Sequence, residues 1–369
     1  TAYEIGVRLV GSEMCIRDRS NMTGMAQTVL GPIPTNQLGI TLMHEHLLLD
    51  LECYFNEPEA ASEKKFIGAP LEFSLLGKYG ARWSYNREGL HLHDIELAFN
   101  EAKEFKFAGG STIVDTTNIG IGRDPSGLAK IARSTGLNII MGSGYYVPMS
   151  HPPDINEKTA DQITDEIVKD ITIGVNDTNI KSGIIGEIGN FFPMDSVQKT
   201  ILIGAAQASM ETGAPISIHP GNDDRSPYEI VKLLNKEGVP ESKIIIGHLS
   251  IAFEKRALLK DLAETGCFLE YDHFGSFEDS SSEYRGISDL IKNDTSQIEI
   301  IEFLFANGFG DQVLIAHDVC YKPHYKQYGG KGFDYIITGI IPRLRKHGFS
   351  NKDINTMLVD NPSKAVAFW

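Results

Sequence analysis

The chain has 369 residues, 41% of them hydrophobic, and a formal net charge of -15. An acidic surface repels phosphate backbones and anionic lipid, which sets aside nucleic acid and membrane as partners, and no apolar run approaches the roughly 20 residues that cross a bilayer. The four cysteines (Cys15, Cys53, Cys267, Cys320) form no CxxC pair, which argues against a disulfide framework and for a reducing, cytoplasmic compartment.

Residues 1–21 have no clean helical or strand period and no apolar core of a signal peptide. The segment resembles translated sequencing-adapter read-through. It is expected to be a non-native or disordered tail, with the natural start at Met22 or Met25 and residues 22–369 as one domain. Leu38 to Leu42 is a short apolar run that ends in Met43-His44-Glu45-His46. Residues two apart on a strand share a face, so His44 and His46 present two imidazoles side by side, a common beginning of a zinc site. Residues 50 to 93 read as a long irregular insertion. His91 and His93 repeat the spacing without a comparable strand before them and read as surface or loop residues.

A regular alternation follows. Helices are expected over Asp94–Ala108, Pro125–Ser134, Thr164–Ile173, Ser196–Thr212, Pro227–Lys236, Phe253–Thr265 and Ile298–Asn307. Strands are expected over Ser111–Asp115, Leu137–Met141, Ser182–Ile185, Pro215–Ile218, Lys243–Ile246, Cys267–Glu270 and Gln312–Ala316. Two helices follow, near Ile336–Lys346 and Lys352–Met357. Asn361-Pro362 reads as an N-cap and first-turn proline of a last short helix. With the run before His44 this makes eight short strands alternating with helices. The α/β pattern predicts a (β/α)8 TIM barrel with a long insertion after strand 1. The rival, a doubly wound open sheet, usually carries a Gly-rich phosphate turn after its first strand, and no GxGxxG follows any strand.

Ligand-type residues fall at or just beyond the strand ends: His44 and His46 on the first, Glu187 on the fourth, His219 on the fifth, His248 on the sixth and Asp318 on the eighth. Glu187 and His219 are 32 residues apart, His219 and His248 are 29 apart, and His248 and Asp318 are 70 apart. A barrel of about 250 residues averages roughly 31 per unit, so all six side chains can meet at one rim. Four His, one Glu and one Asp exceed the needs of one catalytic zinc and suit two divalent ions about 3.5–4 Å apart. Any one of them alone would read as a hydrogen-bonded structural residue or a cap. Arg225, in the loop after His219, could pair with an acidic group on a substrate or be only a surface arginine. Cys320 reads as packing.

The stretches TVLGPIPTNQLGITLMHEHLLLD, GIIGEIG, SIHPG, IIIGHLS, CFLEYDHFG, LIAHDVC and YGGKGFDYI resemble the phosphotriesterase family of the amidohydrolase superfamily, and the phosphotriesterase-related branch most closely. The resemblance implies that His44, His46 and Asp318 bind the more buried metal, that His219 and His248 bind the more exposed one, and that Glu187 bridges them where the founding members use a carboxylated lysine. It also implies a mouth-facing role for Tyr146, which could equally be an aromatic filling the barrel mouth. Asp272 and His273 fall where relatives carry substrate-side or proton-relay groups. Family members are often homodimers.

The expected activity is that of a binuclear zinc hydrolase, in which a metal-bridging hydroxide attacks a small ester, lactone or amide. Asp318 would orient that hydroxide and carry its proton. The glutamate bridge favours a C–O or C–N acyl bond, with an N-acyl amine carrying an acidic group as one candidate substrate. Phosphoester or phosphotriester hydrolysis is the first alternative, and a metal-holding barrel with a binding or regulatory role is the second.

Overall fold

The computed structural model describes residues 22–79, 83–251, 256–276 and 293–369. The expected tail at 1–21, and the first residues of the helix expected from Phe253, lie outside the described residues. Eight parallel strands form one sheet: β1 (Thr41–Glu45), β2 (Thr112–Asp115), β3 (Asn138–Ser143), β4 (Ile184–Gly189), β5 (Ile216–His219), β6 (Ile244–Ile246), β7 (Phe268–Tyr271) and β8 (Val313–Ile315). Each pairs with its neighbour in chain order, which brings β8 round to β1 and makes a nearly closed barrel. Each expected strand is found, its ends within a few residues of those read from the sequence.

Two hydrophobic layers explain the closure. Leu42, Ile113, Ile139, Ile185, Ile216, Ile244, Leu269 and Val313 belong to the large core shared with the surrounding helices. Met43, Val114, Ile140, Ile184, Ile245 and Leu314 form a second cluster with Ala26, Leu38, Ala365 and Val366. That alternation along each strand is the out-and-in pattern of a filled barrel. Ala26 lies in an antiparallel hairpin, Met25–Thr28 with Gly31–Pro34, whose turn residue Val29 donates its amide to the Ile139 carbonyl at 2.8 Å. The hairpin and the C-terminal segment thus close the end of the barrel opposite the histidines.

The helices between the strands begin and end on local signals. In α1 (Ile95–Phe107), Asp94 accepts from the Glu96 and Leu97 amides. In α2 (Pro125–Thr135), Asp124 caps the start, Pro125 occupies the first turn, and Gly136 ends the helix at φ 68°, a left-handed position that glycine takes without a Cβ clash. The next helix, α3 (Ala160–Thr172), starts four residues before the expected Thr164. A capping box between Thr159 and Gln162 nucleates it, satisfying two orphan amides ahead of the apolar stripe. The barrel helices continue with α4 (Ser196–Thr212), α5 (Ser226–Lys236), α6 (Arg256–Ala263) and α7 (Asp294–Ala306).

The N-cap reading of Asn361 is corrected. The backbone is already helical at Asp360, which makes no side-chain cap. The Asn361 amide instead donates to the Gly310 and Val313 carbonyls at 2.9 and 2.8 Å. It is fully buried and holds the start of β8. The insertion after β1 has short helices, as expected, and a two-residue ribbon that pairs Leu49–Asp50 with His91–Leu92. His91 and His93 stack there, 5.0 Å between ring centroids, at the surface and against Asp50 and Glu52.

Candidate metal centre

The C-terminal strand ends bring the six expected ligand residues together. His44 Nε2 lies 3.4 Å from Glu187 Oε2, and His46 Nε2 lies 3.4 Å from Glu187 Oε1 and 3.3 Å from Asp318 Oδ1. His219 Nδ1 and His248 Nε2 approach Glu187 Oε2 at 3.2 and 3.1 Å. The Glu187 carboxylate is therefore the hub, with one oxygen toward His46 and the other toward His44, His219 and His248. Glu187 lies inside β4 rather than beyond its end. The pairing of β4 with both neighbours shifts register around it, and such an irregularity re-aims a side chain. Its amide bonds to the Thr116 carbonyl at 3.1 Å, and its own carbonyl accepts from Asn118 Nδ2 at 2.5 Å.

A second ring of groups fixes the imidazoles from behind. His46 Nδ1 pairs with Thr117 Oγ1 at 2.9 Å. His44 Nδ1 faces Glu270 at 3.2 Å and Asp272 at 3.3 Å. Asp272 also accepts from the His248 amide at 2.8 Å and meets His248 Nδ1 and His273 Nδ1 at 3.2 and 3.1 Å. Asp272 is thus a buried support beneath His44, His248 and His273. Glu270 and Thr117 were not expected from the sequence. A Glu two residues before Asp272 on an apolar strand, so on the same face, was the available signal for the first.

These charges shift one another. Burial disfavours an ionised Glu187, yet His44, His219 and His248 hold its carboxyl well below the usual range. Burial likewise disfavours protonated His46 and His248, but Asp318 and Glu187 push His46 up to about 9, and Asp272 and Glu187 push His248 up to about 10. His219 goes the other way, lowered by burial and by His248. Burial raises Glu270 to about 7.

The residues fit divalent cations. His44 Nε2 is buried with no hydrogen-bond partner. Three ligand atoms fall within 4.8 Å of one another in each of two sets, His44 with His46 and Asp318, and Glu187 with His219 and His248. Buried charge without a counter-ion costs several kcal/mol per group, and metal ions at these two sets would offset it.

Of the other expected residues, Tyr146 and His273 reach the centre. The Tyr146 hydroxyl is 3.4 Å from His219 Nδ1, and His273 Nε2 is 3.6 Å from Asp318 Oδ2. Arg225 does not join them. Its guanidinium, 68% exposed, pairs with Asp223 at 2.8 Å and lies 4.7 Å from the centre of the Phe192 ring. Cys320 packs, half-buried, against the main core. Tyr54, from the insertion, donates to the Tyr146 hydroxyl at 3.2 Å.

The phosphotriesterase family model matches residues 24–366. An N-acetyltaurine hydrolase of Dictyostelium discoideum is 38% identical, over 93% of this chain and 98% of the relative. A phosphotriesterase-related protein of Nematostella vectensis is 37% identical over 94% and 99%. Among solved structures, a resiniferatoxin-binding protein from Rhodobacter sphaeroides superposes with a TM-score of 0.90 at 34% identity, covering 93% of this chain and 95% of that one. The chain therefore belongs to the phosphotriesterase family and is a metal-dependent hydrolase.

Proposed function

We propose that the protein is a binuclear zinc hydrolase that cleaves the amide bond of a small N-acyl amine carrying an acidic group, of the N-acetyltaurine kind. The observation that carries the reading is the convergence of His44, His46, Glu187, His219, His248 and Asp318 on one point at the barrel mouth. His44, His46 and Asp318 would hold one ion, His219 and His248 the other, and Glu187 both. Several relatives named N-acetyltaurine hydrolases, at 33–38% identity, support the substrate class.

Two such ions, when bound, would lower the pKa of a water to near neutral, so that hydroxide is available, and polarise the scissile carbonyl. The chain's own residues manage the proton. Asp318 Oδ2 stands where it can take the proton of the attacking water. His273 Nε2, 3.6 Å away, can relay it, while Ser250 Oγ at 2.5 Å and Asp272 at 3.1 Å fix the other ring nitrogen. The same proton can return to the departing amine, so amide and water become acid and amine. Burial holds the Tyr146 phenol well above its ordinary value. It stays a donor at neutral pH and can bond the substrate oxygen.

The test is taurine release from N-acetyltaurine by the zinc-loaded protein, run beside chromogenic esters, a lactone and a phosphotriester. Turnover of the N-acyl amine, with two equivalents of zinc in the wild type and loss of zinc in Glu187→Ala, is the expected result. Bound metal without turnover on any substrate would favour a binding role, and full occupancy and activity in Glu187→Ala would remove the bridge.

A further inference from the structure

Glu45 stands between two expected ligands in His44-Glu45-His46, yet its carboxylate turns away from Glu187 and crosses the seam of the barrel. Among the described residues, no strand ladder joins β8 to β1 in the sheet. In its place, Glu45 Oε1 accepts from the His317 amide at 2.9 Å and from His317 Nδ1 at 2.7 Å, and Oε2 accepts from the Val319 amide at 3.0 Å. Between them the Asp318 amide donates to the His44 carbonyl at 3.2 Å. Three consecutive amides thus face the end of β1.

We infer that Glu45, with His317, is a positioning residue that fixes the Asp318 carboxylate in its ligand geometry by clamping the residue on either side of it. Asp318 has φ 50°, a left-handed conformation that costs a non-glycine residue energy and persists only where its surroundings impose it. The clamp is itself oriented. The Ile336 amide donates to His317 Nε2 at 2.9 Å, which leaves the ring proton on Nδ1, toward Glu45. Glu45 and His317 are both buried, so water does not compete for these bonds. The result is a line of contacts from the helical segment beginning at Ile336 through His317 and Glu45 to both sides of Asp318. The inference rests on the reading of Asp318 as a metal ligand.

The variant Glu45→Gln keeps the shape but puts an amide NH2 against one of the N–H donors. It should hold one of its two zinc ions about 10–100-fold less tightly, the range for groups that orient a ligand. The readout is zinc remaining after timed exposure to a chelator, taken without substrate. In turnover, kcat should fall while KM holds. Because Glu45 acts through Asp318, adding Glu45→Gln to Asp318→Asn should cost no further zinc. Wild-type retention of both ions in Glu45→Gln, or losses that multiply in the double variant, would overturn the proposal. If Glu45→Gln does not fold, His317→Asn carries the same assay. Faster loss of one ion supports the clamp and unchanged retention of both refutes it. Zinc retention is independent of the substrate, so failure of the amide-hydrolysis reading and failure of the clamp are separate results.

Discussion

The Tyr54 hydroxyl donates to the Tyr146 hydroxyl at 3.2 Å, and the two rings cross nearly edge-on with centroids 6.2 Å apart. This contact ties the insertion after β1 to a tyrosine that borders His219. With its oxygen accepting from Tyr54, Tyr146 can turn its own proton to a substrate oxygen, its proposed role. Tyr146→Phe is expected to lower kcat/KM by roughly 10–100-fold. Tyr54→Phe should lower it by about 3–10-fold, the worth of one neutral hydrogen bond. Steady-state kinetics on the best substrate checks the order, and a Tyr54→Phe loss larger than that of Tyr146→Phe would contradict it.

Asp318 and His273 form the proposed proton path. His273→Gln should reduce kcat by about 10²–10³-fold, within the range for a general acid–base group, and leave zinc content intact. Asp318→Asn should lower both activity and zinc content, because the same carboxylate is a proposed ligand. Zinc analysis beside kinetics separates the two. Zinc loss in His273→Gln would make that imidazole a ligand rather than a relay.

Stripping the metal should reverse the pH response of the fold. In the metal-free protein, Asp318 and Glu187 hold His46 up at about 9, and Asp272 and Glu187 hold His248 up at about 10, in both cases against burial. A free imidazole titrates near 6.5. Between those limits the native state binds more protons than the unfolded chain. This contribution to stability is therefore complete below about 6.5 and is lost as pH rises through 9 and 10. Glu187 and Asp318 are held low, so their contribution is present above the ordinary carboxylate range and is lost in acid. His219, lowered by burial, titrates the opposite way to the other two histidines. Chelator-treated protein should show a Tm that falls from pH 7 to 10, and zinc uptake at pH 7 should release protons to the buffer. A flat or rising Tm in the stripped protein would contradict the imidazole–carboxylate pairing.

The barrel and the convergence of the six candidate residues were legible because both signals are periodic. Strands alternate with helices, and ligand-type residues recur at strand ends at the spacing of one unit, so independent weak hints fell into register. What escaped depends on contacts across the chain. Glu45 shares a tripeptide with two proposed ligands, and only its contacts across the seam with β8 point to its proposed task. Glu270 reads as one polar residue in an apolar strand until His44, 226 positions away, is beside it. Arg225 carries the right charge for an acidic substrate, but Asp223, two residues earlier, takes it. The sequence reading starts α3 at Thr164, whereas the capping box at Thr159 and Gln162 sets the true first turn at Ala160.

Asn361 shows the same limit. Asn-Pro is a strong local helix-start signature, yet the side chain serves two carbonyls at the foot of β8. Asn361→Ala should destabilise the fold by about 1–3 kcal/mol, the cost of stranding buried acceptors. Zinc content should stay at the wild-type level. Chemical denaturation checks the first and metal analysis the second. A variant of unchanged stability would return Asn361 to an ordinary helix start.

Anomalous diffraction at the zinc edge, from crystals of the zinc-loaded protein, tests the central claim most directly. Two peaks about 3.5–4 Å apart are expected. One should lie within about 2.0–2.2 Å of His44, His46 and Asp318 and the other of His219 and His248, with a Glu187 oxygen on each. A single peak, or zinc bound away from Glu187, would contradict the binuclear centre and the hydrolytic reading built on it.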